Sequence, residues 1–246
     1  MQFWSLRDEG SALVSYAKVA RLQRALVELR VAGEIPDTVL FVEHRPVITR
    51  GKGLQWTGTP RERRMPLPEP LPAETEFSDS ERGGDLTWHG PGQLVVYPIV
   101  KLGDSPFAPK ADVTQYLRAL EGVLIRLLAQ YELTGEMREN ATGVWIRRDG
   151  VERKIASIGI AVRKWVSYHG LALNAVNALD SFRAFAPCGY PGEVMTSLSE
   201  MRPLAPNRWR PDLEALLVPL FSPDFPARVQ VRELGEIDIP DGLPAE

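Results

Sequence analysis

The chain has 246 residues, 44% of them hydrophobic and 25% charged, which is the composition of an ordinary globular protein. Its 29 basic and 32 acidic residues give a net charge of −3, which argues against a general nucleic-acid-binding protein. One cysteine excludes an internal disulfide bond and a cysteine-based zinc site, and the three histidines lie far apart in sequence without metal-ligand spacing. Without a secretory signal pattern or an apolar run of transmembrane length, we expect a cytoplasmic protein whose cysteine stays a thiol.

The first third of the chain predicts one helix, one strand and a long loop. Apolar side chains recur with helical spacing over residues 12–30, and Gly33 ends this helix. Residues 38–43 predict a strand, which Pro46 ends or bends. Five prolines fall within residues 54–81, a density that prevents helices and sheet ladders. This segment predicts a long surface loop, which is either a lid over a site or an inert insertion.

The rest of the chain mixes strands, hairpins and helices. We predict strands at residues 94–100, 143–148, 151–162, 165–173 and 229–233, and helices at residues 111–131, 193–201 and 211–221. The Asp149-Gly150 pair predicts a tight hairpin turn, because it supplies the positive φ that such a turn needs. This order predicts an α/β protein of the α+β type, with a mixed β-sheet flanked by helices. We expect one domain over residues 1–232 and a flexible acidic tail over residues 233–246.

The most informative segment is Arg82-Gly83-Gly84-Asp85-Leu86-Thr87-Trp88-His89-Gly90-Pro91-Gly92-Gln93. It holds four glycines and one proline, and the apolar run 94–100 follows at once. Glycine permits positive φ and a close approach of the backbone to a ligand, so a loop of this kind predicts a ligand cradle. A structural turn between two strands is the alternative.

Three further motifs extend this pattern. They are Lys154-Ile155-Ala156-Ser157-Ile158-Gly159, His169-Gly170-Leu171-Ala172-Leu173-Asn174 and Pro187-Cys188-Gly189. Together and in this order, the four motifs resemble those of the lipoyl(octanoyl) transferases, and Glu43-His44 before Pro46 resembles the end of an early strand in that family. The resemblance covers most of residues 36–200. Trp88 departs from it, because a tyrosine is usual there, and the proline-rich segment 54–81 is longer than expected.

The resemblance implies a fold similar to the catalytic domains of biotin and lipoate protein ligases. It also implies an acyltransferase that uses no cofactor and no metal. The acyl donor is octanoyl-acyl carrier protein. The acceptors are lipoyl domains of 2-oxoacid dehydrogenase E2 subunits and the glycine cleavage H protein. A catalytic domain over residues 1–232 moves the octanoyl, or lipoyl, group to a lysine of these acceptors.

The resemblance further implies that Cys188 is the nucleophile and Lys154 its catalytic partner. A free thiol has a pKa of roughly 8.5, so a thiolate at neutral pH needs a cationic neighbour, and the Lys154 ammonium supplies it. On sequence alone, Cys188 is otherwise a small buried apolar residue and Lys154 a solvated residue after a hairpin turn.

Three segments are expected to line the acyl substrate. They are Arg82, Gly83, Gly84, Asp85, Leu86, Thr87, Trp88 and His89; Ser157, Ile158 and Gly159; and Gly170, Leu171 and Ala172. Backbone amides near Gly83, Gly84 or Gly159 are candidates for the oxyanion-stabilising donors. His44 and His169 are expected to support the site, and for His89 and His169 a structural histidine is the alternative.

Two other functions remain open on the sequence. An ATP-dependent lipoate or biotin ligase shares the expected fold and places a lysine near this region, but it needs no cysteine nucleophile. A non-catalytic acyl-carrier or lipoyl-domain binding protein would use the same slot without transfer. Residues 138–164 carry seven basic and three acidic side chains, which predict either contact with an acidic partner or a solvated hairpin face.

Overall fold

The computed structural model describes residues 1–53, 74–139, 141–183, 192–223 and 227–237. The strands are β1 (Gln2–Arg7), β2 (Leu13–Val14), β3 (Thr38–His44), β4 (Val47–Arg50), β5 (Glu76–Asp79), β6 (Leu86–His89), β7 (Gln93–Ile99), β8 (Gly135–Arg138), β9 (Ala141–Arg148), β10 (Val151–Arg163), β11 (Val166–Asn174) and β12 (Val229–Glu233). The helices are α1 (Tyr16–Ala32), α2 (Val113–Ala129), α3 (Asp180–Arg183) and α4 (Trp209–Phe221), and single 3-10 turns lie at Gly192–Val194, Leu198–Glu200 and Leu234–Glu236.

The described strands form two sheets. The larger has the order β12-β1-β3-β7-β11-β10-β9-β8, and β2 pairs with β3 beside this path. Its β12, β1 and β3 are parallel neighbours, whereas β3, β7, β11, β10, β9 and β8 pair in antiparallel fashion. The smaller sheet has the order β5-β4-β6. The predicted mixed sheet flanked by helices is therefore confirmed.

Both faces of the larger sheet are covered, which explains why its central strands are almost continuously apolar. In β3, Val39 and Phe41 pack in the cluster that α2 and α4 form on one face. Leu40 and Val42, which alternate with them, pack on the opposite face with α1. A cleft lies beside β10 and β11, where the larger sheet meets β6 of the smaller sheet.

Most of the predicted elements occur within a few residues of their expected bounds. Gly33 ends α1 in the left-handed conformation, with φ of 78°. Asp149 and Gly150, with φ of 50° and 75°, form the tight turn between β9 and β10. A second two-residue turn, Lys164-Trp165, joins β10 to β11.

Two predicted segments differ from the structure. Residues 76–79, expected to be part of a loop, form β5 because they pair in parallel with β4; residues 54–73 lie outside the described residues. The helix predicted at 193–201 is interrupted because Met195 bridges to Lys154 and the Thr196 amide donates to the Lys154 carbonyl at 3.0 Å. Only two 3-10 turns remain there.

The acidic end of the chain begins as ordered structure. Leu234 is buried in the cluster on the α1 face, and residues 234–236 form a 3-10 turn. Residues 238–246, the rest of the tail predicted to be flexible, lie outside the described residues. Among the helices of the described ranges, none combines the length and apolar character needed to cross a membrane.

Candidate active site

A narrow cleft brings together the three sequence segments that were expected to line an acyl substrate. Its cavity volume is about 40 Å³. Its walls come from α1, from the loop of residues 82–85 that precedes β6 (the glycine loop) and from strands β6, β7, β10 and β11. The lining residues are Tyr16, Arg82, Gly83, Gly84, Thr87, His89, Val95, Tyr97, Ser157, Ile158, Gly159, His169, Gly170, Leu171 and Ala172.

The glycine loop crosses β10 at the point where β9 has ended. The last residue of β10 that pairs with β9 is Ala156, so the edge of β10 is open beyond it. There the Gly83 amide donates to the Ile160 carbonyl at 2.9 Å. A methyl group on Gly159 would lie 2.9 Å from the Gly83 oxygen, so glycine at 159 permits this close crossing.

Arg82 holds the shape of this loop. Its buried guanidinium donates to the Thr49 carbonyl at 2.8 Å, to the Thr49 hydroxyl at 2.9 Å and to the Asp85 carbonyl at 2.7 Å. It also donates to the Gly83 carbonyl at 3.0 Å. Arg82 lines the cleft, but these bonds fix the loop to β4, so its main visible role is structural.

Successive side chains of β6 point to opposite sides of the strand, so only some residues of the predicted substrate-binding segment face the cleft. Thr87 and His89 line the cleft, whereas Leu86 and Trp88 point to the opposite side and pack with Ile48 in a separate apolar cluster. Asp85 is buried and is absent from the described cleft wall. The expectation that Asp85, Leu86 and Trp88 line the slot therefore differs from the described cleft, because the strand turns two of them away.

Trp88 stands where the octanoyltransferase motif usually has a tyrosine. Its side chain packs on the side of β6 that faces away from the cleft. Its ring meets that of Phe182 edge to face, with 5.6 Å between the centroids. Met195 belongs to the same cluster. Phe182 and Met195 come from the two stretches of chain that flank residues 184–191, so both flanks are fixed to the same apolar cluster beside β6.

All three histidines of the chain converge near the cleft, although they are far apart in sequence. The ring centroids of His44 and His89 lie 5.8 Å apart, and His169 meets the Tyr97 ring edge to face at 6.2 Å. His44 lies behind the cleft wall, where its Nε2 is 2.8 Å from the Tyr97 hydroxyl. Tyr16 stacks on His89 with 6.4 Å between the centroids. Within the described ranges, no group of three or more His, Cys, Asp or Glu side chains is placed to hold a metal ion.

Burial keeps these histidines neutral at neutral pH. Desolvation lowers the pKa of His44 to about 3, of His89 to about 4 and of His169 to about 3. Positive neighbours lower these pKa values further; Arg82 acts on both His89 and His169. The cleft is therefore lined by imidazoles that accept or donate hydrogen bonds without carrying charge.

His169 also occupies an unusual backbone conformation. Its φ is +55°, and its amide donates to the side-chain oxygen of Gln23 at 2.7 Å instead of to a strand. The next residue, Gly170, packs so closely on β7 that a methyl group there would lie 2.2 Å from the Val96 carbonyl oxygen. These two features bend β11 into the cleft wall.

Lys154 is buried beside the same region but outside the cleft lining. Only 4% of its surface is exposed, and its ammonium lies 5.6 Å from the centroid of the Trp145 ring. Gly143, with φ of 123°, makes room for it, because a methyl group there would lie 2.9 Å from the Lys154 Cε. A solvated lysine, the alternative from sequence, is therefore wrong. Cys188 lies outside the described residues.

The pairing of β10 with β11 shows which of the expected oxyanion-stabilising amides already take part in backbone hydrogen bonds. Successive residues of a strand turn their amide and carbonyl groups to opposite neighbours. Because the Ile160 carbonyl is turned to Gly83, the Gly159 amide is turned to β11, opposite Gly170. The Gly83 amide is itself bonded to Ile160. Of the three expected donors, Gly84 is the one that these pairings do not engage.

Several residues of the site carried no distinctive signal in the sequence. Tyr16 begins α1, and Val95 and Tyr97 lie inside the apolar run of β7, where they look like core residues. Only the tertiary pairing of β7 with β11 brings them to the cleft. Gln93 and Asn174 belong to two of the sequence motifs. The spacing of these motifs does not predict the hydrogen bond of 3.0 Å between the two side chains.

Comparison with known proteins agrees with this architecture. The chain matches the family model of the lipoyl protein ligase A/B catalytic domain over residues 15–213. It is 45% identical over 194 residues to an octanoyltransferase of Thermobifida fusca (strain YX), a match that covers 77% of this chain and 76% of that protein. An octanoyltransferase of Leifsonia xyli subsp. xyli (strain CTCB07) is 35% identical, over 95% of this chain and 98% of that protein.

The fold is also similar to that of solved lipoate protein ligases. A bipartite lipoate protein ligase of Thermoplasma acidophilum, from a structural analysis of an archaeal lipoylation system, superimposes with a TM-score of 0.65. The match covers 95% of this chain and 87% of that chain at 16% identity, so it shows the shared fold. The predicted likeness to ligase catalytic domains is thereby confirmed, and the chain belongs to the lipoyl protein ligase A/B catalytic-domain family and, within it, to the octanoyltransferases.

Proposed function

We propose that the protein is an acyltransferase that moves an octanoyl group from acyl carrier protein to a lysine of a lipoyl domain in protein lipoylation. The observation that carries the proposal is the cleft in which the segments 82–89, 157–159 and 170–172 meet beside a buried Lys154. The acceptors are the lipoyl domains of 2-oxoacid dehydrogenase E2 subunits and the glycine cleavage H protein, and the reaction takes place in the cytoplasm. Residues 1–232 act as one catalytic domain.

In the first half-reaction, the Cys188 thiolate attacks the thioester carbon of octanoyl-acyl carrier protein. A bond forms between Sγ and that carbon, and the bond to the phosphopantetheine sulfur breaks. The leaving thiolate takes a proton from the Lys154 ammonium, which becomes a neutral amine. Met195 bridges to Lys154, so the described chain that follows the Cys188 segment contacts the strand that carries Lys154, which supports this arrangement.

In the second half-reaction, the target lysine attacks the Cys188 thioester as a free amine. Its reference pKa is about 10.4, so it first loses its ammonium proton to solvent. The carbon–nitrogen bond of the amide forms, the bond to Sγ breaks, and the neutral Lys154 accepts the remaining proton. The Cys188 thiolate and the Lys154 ammonium are then restored. The oxyanion of each tetrahedral intermediate needs a preset donor, for which we retain the Gly84 amide.

The acyl chain is expected to run along β10, from Lys154 toward Gly159. Apolar contacts in the cleft come from Val95, Ile158 and Leu171. At roughly 0.8 kcal/mol per buried methylene, a medium chain gains on the order of 4–5 kcal/mol, enough for useful affinity. A narrow slot closed by the glycine loop favours one extended chain over a bulky ring.

The β9–β10 hairpin is the proposed contact for the acidic donor and acceptor proteins. Arg147 and Arg148 are exposed there, with 59% and 45% of their side-chain surfaces accessible. Nearby acids offset part of their charge, because Glu152 lies 3.3 Å from Arg147 and Glu200 lies 3.5 Å from Arg148. We therefore expect the Michaelis constant for acyl carrier protein to rise with ionic strength, by a modest factor. A Michaelis constant that does not change with ionic strength would argue against this contact.

The decisive experiment is a reconstituted transfer assay with octanoyl-acyl carrier protein and a lipoyl domain. The wild type should transfer octanoate without ATP, Cys188→Ala should lose transfer, and Lys154→Met should lose at least ~100-fold in rate. Lys164→Met, which removes an exposed lysine at the far end of β10, is the matched control and should retain full rate.

A parallel assay with free octanoate and ATP tests the ligase alternative. Transfer that requires ATP, and that Cys188→Ala leaves undiminished, would establish a ligase. Tight binding of the lipoyl domain or the carrier with no transfer under either condition would establish a non-catalytic binding protein. The high identity to octanoyltransferases favours the transferase.

A further inference from the structure

A chain of hydrogen bonds behind the cleft fixes the orientation of every amide side chain in it. The side-chain nitrogen of Gln93 donates to the Trp88 carbonyl at 3.3 Å and to the Asn174 side-chain oxygen at 3.0 Å. The side-chain nitrogen of Asn174 donates to the Thr196 carbonyl at 3.0 Å. Because a backbone carbonyl only accepts, neither amide can be turned over without placing two oxygens against each other.

This orientation determines the tautomer of His89. Gln93 turns its side-chain oxygen to His89, 2.7 Å from Nδ1. That oxygen only accepts, so Nδ1 must carry the proton. A neutral imidazole has one proton, and Nε2 therefore keeps its lone pair. Since His89 lines the cleft and Nδ1 is taken by Gln93, Nε2 is the ring nitrogen left to meet a ligand.

The surroundings of His89 keep this state neutral. Burial is the main cause that lowers the pKa of His89, and the positive charge of Arg82 in the adjoining loop lowers it further. His44 lies behind the His89 ring. Tyr16 stacks on the ring from α1, and His169 faces the cleft from β11. The ring is buried, and no carboxylate of the described residues forms a hydrogen bond to it.

We infer that Gln93 is a positioning residue that holds His89 as a neutral hydrogen-bond acceptor for an N–H donor of the substrate. An octanoyl chain has no such donor. The inference therefore rests on the proposed function for the identity of the ligand. Two substrates of that reaction bring an N–H group: the pantetheine amide of the acyl donor and the amine of the acceptor lysine.

The same network links His89 to the strand that carries Lys154. Asn174 donates to the carbonyl of Thr196, and the Thr196 amide donates to the Lys154 carbonyl at 3.0 Å. Gln93 and Asn174 are thus the only side chains in a route of hydrogen bonds from the imidazole to the backbone of Lys154, as far as the described residues show. The acceptor at His89 is thus connected through hydrogen bonds to the backbone of the residue that carries the ammonium group.

The first test is ¹⁵N NMR of the histidine side chains in the full-length protein, in which three histidines give a simple spectrum. His89 is assigned by its loss in His89→Gln. Its Nδ1 should be protonated and its Nε2 unprotonated, without titration between about pH 5.5 and 8. A proton on Nε2, or titration near the usual pKa of about 6.5, overturns the inference whether or not the enzyme transfers octanoate.

The second test is Gln93→Glu, which places a carboxylate against Nδ1. The negative charge should raise the pKa of His89 and convert Nε2 to a protonated donor at low pH. The acid side of the kcat/KM profile should then move to higher pH, with about a tenfold loss one unit below the new pKa. Gln130→Glu makes the same charge change at the exposed end of α2 and should leave the profile unchanged.

Single-turnover measurements of the two half-reactions distinguish the donors. A loss confined to acylation by octanoyl-acyl carrier protein indicates the pantetheine amide, and a loss confined to transfer onto the lipoyl domain indicates the lysine amine. A folded Gln93→Glu protein whose pH profile matches the wild type contradicts the inference. If Gln93→Glu does not fold, the NMR measurement on the wild type decides the tautomer alone.

Discussion

The length of acyl chain that the enzyme accepts should depend on Gly159. The variant Gly159→Ala adds a methyl group 2.9 Å from the Gly83 oxygen and 3.4 Å from the Arg82 Cδ. Ordinary contacts need about 3.5 Å or more, so either the glycine loop retreats by roughly half an ångström or the methyl group enters the slot. Because Gly159 lines the cleft, the added methyl group in either case occupies space at the Gly159 end of the slot.

The size of the effect follows from the methylenes that lose their place. One displaced methylene costs about 0.8 kcal/mol, or about 4-fold in kcat/KM, and two cost about 15-fold. A hexanoyl donor, two methylenes shorter, should lose much less. The assay is kcat/KM for octanoyl- and hexanoyl-acyl carrier protein with each protein.

Gly122→Ala is the control for this variant. Gly122 lies inside α2, where a methyl group would meet only the flexible end of Arg126 at 3.3 Å. This variant should keep wild-type kinetics and gain up to ~1 kcal/mol of stability, because alanine favours a helix over glycine. Equal losses for octanoyl and hexanoyl donors in Gly159→Ala would refute the placement of the chain along β10.

Three further predictions concern stability and the loop. Gly170→Ala should lose ~1–3 kcal/mol in urea unfolding, because its methyl group would lie 2.2 Å from the Val96 oxygen; an unchanged midpoint would show that β7 yields easily. The three histidines have folded pKa values of about 3 to 4, below the unfolded value of about 6.5, so the unfolded state binds more protons below pH 6.5. The stability they contribute should therefore be complete above that pH and fall by up to ~1.4 kcal/mol per unit for each histidine toward pH 4, with a smaller slope in His44→Gln; a flat profile from pH 7 to 4.5 would contradict this. Arg82→Met should weaken octanoyl transfer by loosening the loop, and limited proteolysis should then cut near residues 82–85 faster than in the wild type; unchanged cleavage would mean that the hydrogen bonds to Thr49 do not hold the loop.

Much of the fold follows from local patterns in the sequence. The periodicity of apolar residues predicts α1 and α2, and the Asp149-Gly150 turn predicts the β9–β10 hairpin. Both signals are local, because they depend on residues that are close in sequence. The strand β5 does not follow from local pattern, since four residues near a proline-rich stretch become a strand only by pairing with β4. The interrupted helix after Gly192 has the same cause, because its backbone bonds to Lys154 instead of to itself.

The site was predictable in its segments but not in its detailed lining. The motifs locate the segments of the cleft wall, and the alternation of β6 explains why Thr87 faces the slot while Trp88 faces Phe182. The meeting of His44, His89 and His169 depends on how β3 and β11 of the larger sheet lie against β6 of the smaller sheet, which no spacing encodes. Gln93 and Asn174 likewise acquire their roles from a contact 81 residues apart in sequence.

The most direct test of the account is peptide mass spectrometry of the enzyme mixed with octanoyl-acyl carrier protein in the absence of a lipoyl domain. We expect an octanoyl adduct on the peptide that contains Cys188, formed without ATP and released when a lipoyl domain is added. An adduct on another residue, or an adduct at Cys188 that a lipoyl domain cannot discharge, would contradict it.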